Sequence, residues 1–266
     1  MENIKYTSKK LTDFYASNRV NWEQLYPSEK SLIESCEISP NTKILDIGCG
    51  CGGLGQILKQ RFGTTDYCGI DINSSAIALG KEMFPTNVLI EGDFLDEKVI
   101  AQLPYLPDMV FSLSCVDWNV KYEEMIEAIW NLVPEKASLV MSCRLTNGSS
   151  VFKIEDSYQY LDFENKPIDM RADEGLEKAP YIVVNASEFF QRIGAWKHSK
   201  ISAFGYYGAP SKSAVTKFDK VCFAVFCVQK APVSDNTFPT EWKLNLPKDI
   251  LLSLNTPSVR LSNRFE

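Results

Sequence analysis

Five glycines crowd into the eight residues from Gly48 to Gly55, in the run ILDIGCGCGGLG that begins at Ile44. Glycine loses more backbone freedom on folding than any other residue, and it weakens helices and strands. So dense a cluster is sustained where something must press against bare backbone. The residues ahead of it, Lys43–Ile47, read as a short buried strand. Those behind, Gly53–Arg61, carry Leu54, Ile57 and Leu58 at helical spacing. A strand, a glycine loop and a helix therefore follow one another. The free N–H groups and positive dipole end of such a helix suit a negatively charged group.

The same rhythm continues. Tyr67–Ile70, Val88–Ile90, Met109–Leu113 and Ser138–Cys143 read as strands. A helix runs from Asn73 or Ser74 to Met83 and is stopped by Pro85, and another spans Tyr122–Leu132. Strands separated by helices in this way predict a parallel sheet covered on both faces. The pattern breaks at 145–185, a polar, aromatic and weakly periodic stretch read as an acceptor-binding insertion or lid. Ser187–Ile193 is a short helix. Lys197–Phe204 and Lys220–Val228 are strands whose connection, GYYGAPSKSAVTKFD, has no room for a crossover helix, so they form an antiparallel pair. The expected organisation is an N-terminal helical cap (1–37), a main domain (38–230) and a proline-punctuated tail (231–266) that wraps the surface.

Composition narrows the function. With 266 residues, 45% of them hydrophobic, the chain suits one large domain. A net charge of −6 disfavours a long nucleic acid as partner. No run approaches the roughly 20 apolar residues of a membrane span, and the first residues lack a signal-peptide core. The expectation is a soluble, cytoplasmic protein with no membrane partner. Eight cysteines lie mostly in apolar runs, where a thiol packs as a small hydrophobe. With one histidine in the chain and Cys49 and Cys51 only two positions apart, no metal site is expected.

Ligands of open α/β sheets bind at the carboxyl ends of the strands. There, Gly48 and Gly50 allow close approach. The second strand ends in GIDIN, and Asp71 has the oxygens to accept both hydroxyls of a ribose, or it caps the helix after it. The third strand ends in EGDF, where Asp93 suits the exocyclic amine of an adenine or caps a following turn. The glycines alone decide little, because Gly48, Gly50 and Gly53 also fit the G-x-G-x-x-G of nicotinamide enzymes.

DIGCGCG, GIDIN and EGDF in this order resemble the motifs of class I S-adenosylmethionine-dependent methyltransferases, closely over about residues 40–145. The resemblance implies an α/β fold with a seven-stranded, mostly parallel sheet and an antiparallel last strand. It implies S-adenosyl-L-methionine as cofactor. The glycine loop would hold its methionine part, Asp71 its ribose and Asp93 its adenine amine, with Ile72 and Phe94 also among the cofactor-binding residues. Asp46 would orient the loop and the cofactor's amino group, with Ser114 at the end of the fourth strand. Arg19 is a candidate for the cofactor carboxylate, or part of an amphipathic helix that covers the sheet.

Acceptor residues belong on the rim above the fourth and fifth strands. Asp117 is a candidate base beside Trp118, and equally a helix cap. Arg144 would hold an anionic acceptor or balance local acids. His198 is a surface residue or a catalytic one. Tyr206, Tyr207, Ser211 and Lys212 form an aromatic and hydroxyl-rich tip suited to a polar small molecule. With RLTNGSS and EKAPYIVVN, this tip is more loosely similar to methyltransferases of bacterial surface-polysaccharide biosynthesis. That similarity implies O-methylation of a small anionic acceptor: a sugar, phosphorylated or phosphoramidate-bearing precursor. A macromolecule methyltransferase and a non-catalytic cofactor-binding module are the alternatives.

Overall fold

The computed structural model describes residues 3–6, 9–161, 176–233 and 240–254. Its centre is the predicted parallel sheet. Strands β1 (Ile44–Ile47), β2 (Tyr67–Asp71), β3 (Val88–Glu91), β4 (Met109–Ser112) and β5 (Ser138–Thr146) run parallel to one another. The intervening helices are α3 (Gly53–Phe62), α4 (Ser74–Met83), the short α5 (Glu97–Ile100) and α6 (Tyr122–Leu132). Every residue of β1 and β4 is buried, as a sheet covered on both faces requires.

Beyond β5 the chain builds a second, smaller sheet. Strand β6 (Tyr158–Tyr160) pairs with β7 (Lys178–Pro180) and with β10 (Ala214–Val215), all antiparallel. The two-residue β8 (Val184–Asn185) lies along the end of β5 and leads into α7 (Ala186–Ala195), whose first N–H groups are capped by Asn185. The 145–185 expectation falls partly on residues 162–175, which lie outside the described residues.

Strands β9 (His198–Gly208) and β11 (Val221–Lys230) pair antiparallel, as their short connection demands. Strand β11 also pairs antiparallel with β5, so β9 regains the direction of the first five strands. The connection after β9 thus emerges at their carboxyl ends. A difference appears in the tail. Glu241–Asn245 forms β12, which joins the main sheet parallel to β9, and α8 (Lys248–Leu251) follows. The main sheet reads β3-β2-β1-β4-β5-β11-β9-β12. Prolines at 232 and 239 suggested a surface wrap, but Trp242 and Leu244 alternate with charged residues at the spacing of a half-buried strand.

Helices α1 (Lys9–Ser17) and α2 (Pro27–Glu34) form the N-terminal cap. Helix α2 packs its buried Leu32 and Ile33 into an apolar cluster with β1, α3, β4 and β11. The two core clusters lie on opposite faces of the sheet: Ile44 and Phe111 face one, Leu45 and Val110 the other.

Trp242 is 3% exposed, and its Nε1–H donates to His198 Nε2 at 2.9 Å. Trp242→Ala is expected to cost about 3–5 kcal/mol, the cost of a deleted core aromatic. Urea denaturation followed by circular dichroism measures it. A loss within experimental error would place the 240–254 segment outside the cooperative fold.

Candidate functional site

The glycine loop is fixed before any ligand is considered. Gly48 N and Cys49 N both donate to Ile70 O, at 2.8 and 3.1 Å, and Gly50 N donates to Asp71 Oδ2 at 2.8 Å. These bonds hang the loop from the end of β2. Gly48 and Gly50 have φ of +77° and +54°, where a side chain is strained. A Cβ on Gly48 would also sit 2.4 Å from Cys115 Sγ.

Two adjoining cavities open against the loop. The larger, about 690 Å³, is lined by Gly48–Cys51, Asp46, Asp117, Arg144, Tyr181 and Tyr206, among others. The smaller, about 90 Å³, is lined by Asp71, Ile72, Asp93 and Phe94, with Asn3, Ile4 and Tyr6 closing it from the N-terminal side. Tyr15, Gly48, Ser114 and Trp118 line both. Ser114 has φ +52°, an uncommon conformation for a residue with a Cβ, and its N–H donates to Ser142 Oγ at 2.6 Å.

The acids differ in environment. Asp46 is 4% exposed and accepts from the Tyr67 hydroxyl at 2.6 Å. Burial pushes its carboxyl up to about 7, against the Tyr67 hydrogen bond and the nearby Arg19, which favour ionisation. Asp71 is also raised by burial, opposed by the backbone N–H groups of Asn73 and Gly50. Asn73, not Asp71, caps α4 through its side chain. Each Asp71 oxygen takes one backbone N–H, so lone pairs remain for hydroxyl donors. Asp93 Oδ2 already accepts from an amide NH₂, that of Asn3 at 2.9 Å, and its Oδ1 accepts from Leu95 N.

Asp117 and Arg144 meet in the larger cavity. Arg144 Nε donates to Asp117 Oδ2 at 2.6 Å, Nη2 donates to the Asp117 carbonyl at 2.8 Å, and the guanidinium stacks 3.6 Å above the Tyr181 ring. Arg144 is therefore engaged with Asp117 and is not a free anion receptor. Arg19 lines the cavity too, but its Nη2 donates to Glu29 Oε1 at 3.0 Å, and Glu29 is fully buried.

Three other expectations are corrected. His198 lines neither cavity. It lies at the amino end of β9, with Nδ1 on the Trp196 carbonyl and Nε2 accepting from Trp242, and burial pushes its imidazole down. Both ring nitrogens are occupied, which leaves no catalytic role. Tyr207 follows Tyr206 on a strand and so faces the other way. Its hydroxyl donates to Asp249 Oδ2 at 2.7 Å on α8, while Tyr206 faces the cavity. In the tip, Ser211 and Ser213 line the cavity and pair with each other, but Lys212 is exposed and lies off the wall. Sequence reasoning missed Glu29, Gln159 and Ser142. None sits in a motif, and each reaches the cavity only through tertiary packing.

Residues 44–135 match the family model described as a methyltransferase domain. The chain has the class I methyltransferase fold. The 18S rRNA (guanine(1575)-N(7))-methyltransferase of Saccharomyces cerevisiae is 31% identical over 118 residues, 43% of this chain and 40% of that protein. The phosphoethanolamine N-methyltransferase of Plasmodium falciparum is 26% identical over 135 residues, 47% of this chain and 49% of that protein. The chain thus spans less than half the length of these relatives. Among solved structures, phosphoethanolamine N-methyltransferase 2 of Haemonchus contortus, with S-adenosylhomocysteine, superimposes with a TM-score of 0.52 at 13% identity. The match covers 79% of this chain and 53% of that one. TehB of Haemophilus influenzae gives 0.50 at 14% identity, covering 84% and 67%.

The Asp46 environment fixes a sign for pH dependence. An ordinary aspartate ionises near 4 when unfolded, whereas Asp46 in the folded chain holds its proton to about 7. Between those values the folded state binds more protons, so this group makes stability fall as pH rises. Asp46→Asn is expected to be more stable than the parent at pH 8 and little different at pH 4, by urea midpoints at both. An equal difference at the two pH values would contradict the raised carboxyl.

Proposed function

We propose that this chain transfers a methyl group from S-adenosyl-L-methionine to a small-molecule acceptor. The observation that carries the reading is the loop hung from β2, with its bare Gly48 and Gly50 backbone facing two joined cavities and Asp71 at their edge. These residues fit the cofactor. Asp71 keeps acceptor capacity for ribose hydroxyls, and Asp93 already holds an amide NH₂, the donor type an adenine amine presents. Gly48 and Gly50 would lie along its amino-acid end, with Asp46 beside them and Ile72 and Phe94 against its base. When bound, it supplies an activated methyl on a sulfonium centre.

The chain's own work is positioning and exclusion of water. Ser114 and Trp118 stand where the two cavities join and fix the line between donor and acceptor. Tyr15 and Tyr6, from the N-terminal cap, close the site. Asp117, held by Arg144, lines the larger cavity and is the candidate to take a proton where the acceptor must lose one. Tyr206, Ser211 and Ser213 complete the acceptor wall. Relatives of this chain are named for rRNA, phosphoethanolamine and trans-aconitate as acceptors, and none for a surface polysaccharide.

Saturating S-adenosylhomocysteine is expected to raise the melting temperature through linkage to the folded state, and NAD is not. Asp71→Asn is expected to weaken S-adenosylhomocysteine binding by about 1.5–3 kcal/mol, the worth of charge-assisted hydrogen bonds. Isothermal titration calorimetry reads it. Stabilisation by NAD alone would overturn the proposal.

A further inference from the structure

The smaller cavity is too tight for the nucleoside that its walls suit. Asp71, Ile72, Asp93 and Phe94 line it and do not line the larger one. It measures about 90 Å³. Small-molecule sites span roughly 300–1,000 Å³, so a base and its ribose do not fit between these walls as they stand. Something that lines the cavity must give way.

The N-terminal side of the cavity is formed by Asn3, Ile4 and Tyr6. Tyr6 is anchored. Its hydroxyl donates to the Trp118 carbonyl at 2.9 Å, and its ring meets the Trp118 ring edge-on, with centroids 6.5 Å apart. It also packs against the apolar cluster of Leu11, Leu161 and Ala179. Asn3 is held differently. Its Nδ2 donates to Asp93 Oδ2 at 2.9 Å, across 90 positions of sequence. Its Oδ1 is buried and has no hydrogen-bond partner among the described residues. The cost of that unmet acceptor opposes the bond made by the other end of the same amide, so the seat is shallow.

We infer that Asn3 and Ile4 occupy the adenine end of the cofactor site, and that the cofactor must displace them to bind. This rests on the methyl-transfer reading and gives that same site a built-in competitor. The Asn3 amide puts an N–H on the carboxylate that would receive an exocyclic amine, so the two compete for one acceptor. The other oxygen, Asp93 Oδ1, is engaged by Leu95 N at 3.0 Å. Oδ2 has a second lone pair, but a cavity of this volume does not hold the amide and a base together. Tyr6, fixed to Trp118, is the pivot, and Asn3 and Ile4 are the part that swings. The apparent affinity for the cofactor is then the intrinsic affinity reduced by the fraction of molecules in which Asn3 has left Asp93. Whatever draws these residues away raises that affinity.

Asn3→Ala removes the competing donor, and Asn3→Asp sets a second carboxylate against Asp93. Both changes lie ahead of α1, away from the cores that decide folding. Titration calorimetry of the full chain with S-adenosylhomocysteine is expected to show both variants binding about three- to ten-fold tighter than the parent, the net worth of one hydrogen bond. A second readout follows the segment itself. The Asn3 side-chain amide signals, identified in ¹⁵N NMR spectra of the parent by their absence from Asn3→Ala, are expected to move to solvent-exposed positions when S-adenosylhomocysteine saturates the site. Equal or weaker binding by Asn3→Ala overturns the inference, because Asn3 would then support Asp93 and not compete for it. Amide signals that keep their unliganded positions at saturation overturn it as well. If S-adenosylhomocysteine binds neither the parent nor the variants, the methyl-transfer reading falls instead.

Discussion

A guanidinium buried to 4% exposure must be answered, and Asp117 answers Arg144 twice, by side chain and by carbonyl. Removing one partner from such a pair costs about 3–5 kcal/mol, because the other is left charged and dry. The pair therefore fixes geometry over three elements. Arg144 lies near the end of β5, Asp117 in the single turn 116–118, and Tyr181 beneath the guanidinium in the segment after β7. Ile182 N also donates to the Asp117 carbonyl at 3.2 Å. The ion pair and its backbone thus help to dock the small sheet over the strand ends, beside the apolar packing of Ala179 and Leu161 on Leu11.

The glycine loop and the order of strands were legible because they are local. A strand, a turn through left-handed backbone and a helix follow from neighbouring residues alone. The purpose of each glycine was less legible. Gly48 and Gly50 face the cavities, but a Cβ on Gly53 would sit 2.4 Å from the Arg19 carbonyl, and one on Gly55 would sit 2.7 Å from the Tyr67 ring. Those two make room for the protein's own chain, and Gly48 does so as well, for Cys115. Close approach of the N-terminal cap and close approach of a ligand leave the same mark in a sequence.

The wall of the larger cavity was only half legible, for a similar reason. Alternation along a strand separates Tyr206 from Tyr207, yet the sequence does not say which of two adjacent tyrosines points inward. His198 looked available because its partner, Trp242, stands 44 positions away in a strand that prolines disguised. Arg144 looked like an anion receptor because pairing with Asp117 across 27 positions depends on the fold. Charged residues were found readily, but whether their charge is spent was not visible without their neighbours.

Strand β12 has a consequence for how the molecule meets others like it. Without it, β9 would present eleven residues of unpaired backbone, a template on which another chain can add a strand. With it, the sheet ends, among the described residues, on five residues, of which Glu241 and Lys243 point outward and pair with each other at 3.0 Å. A short edge decorated with charge is a poor place for edge-to-edge growth. Strand β12 therefore acts as a selvedge on this side of the sheet: it replaces a long open edge with a short charged one.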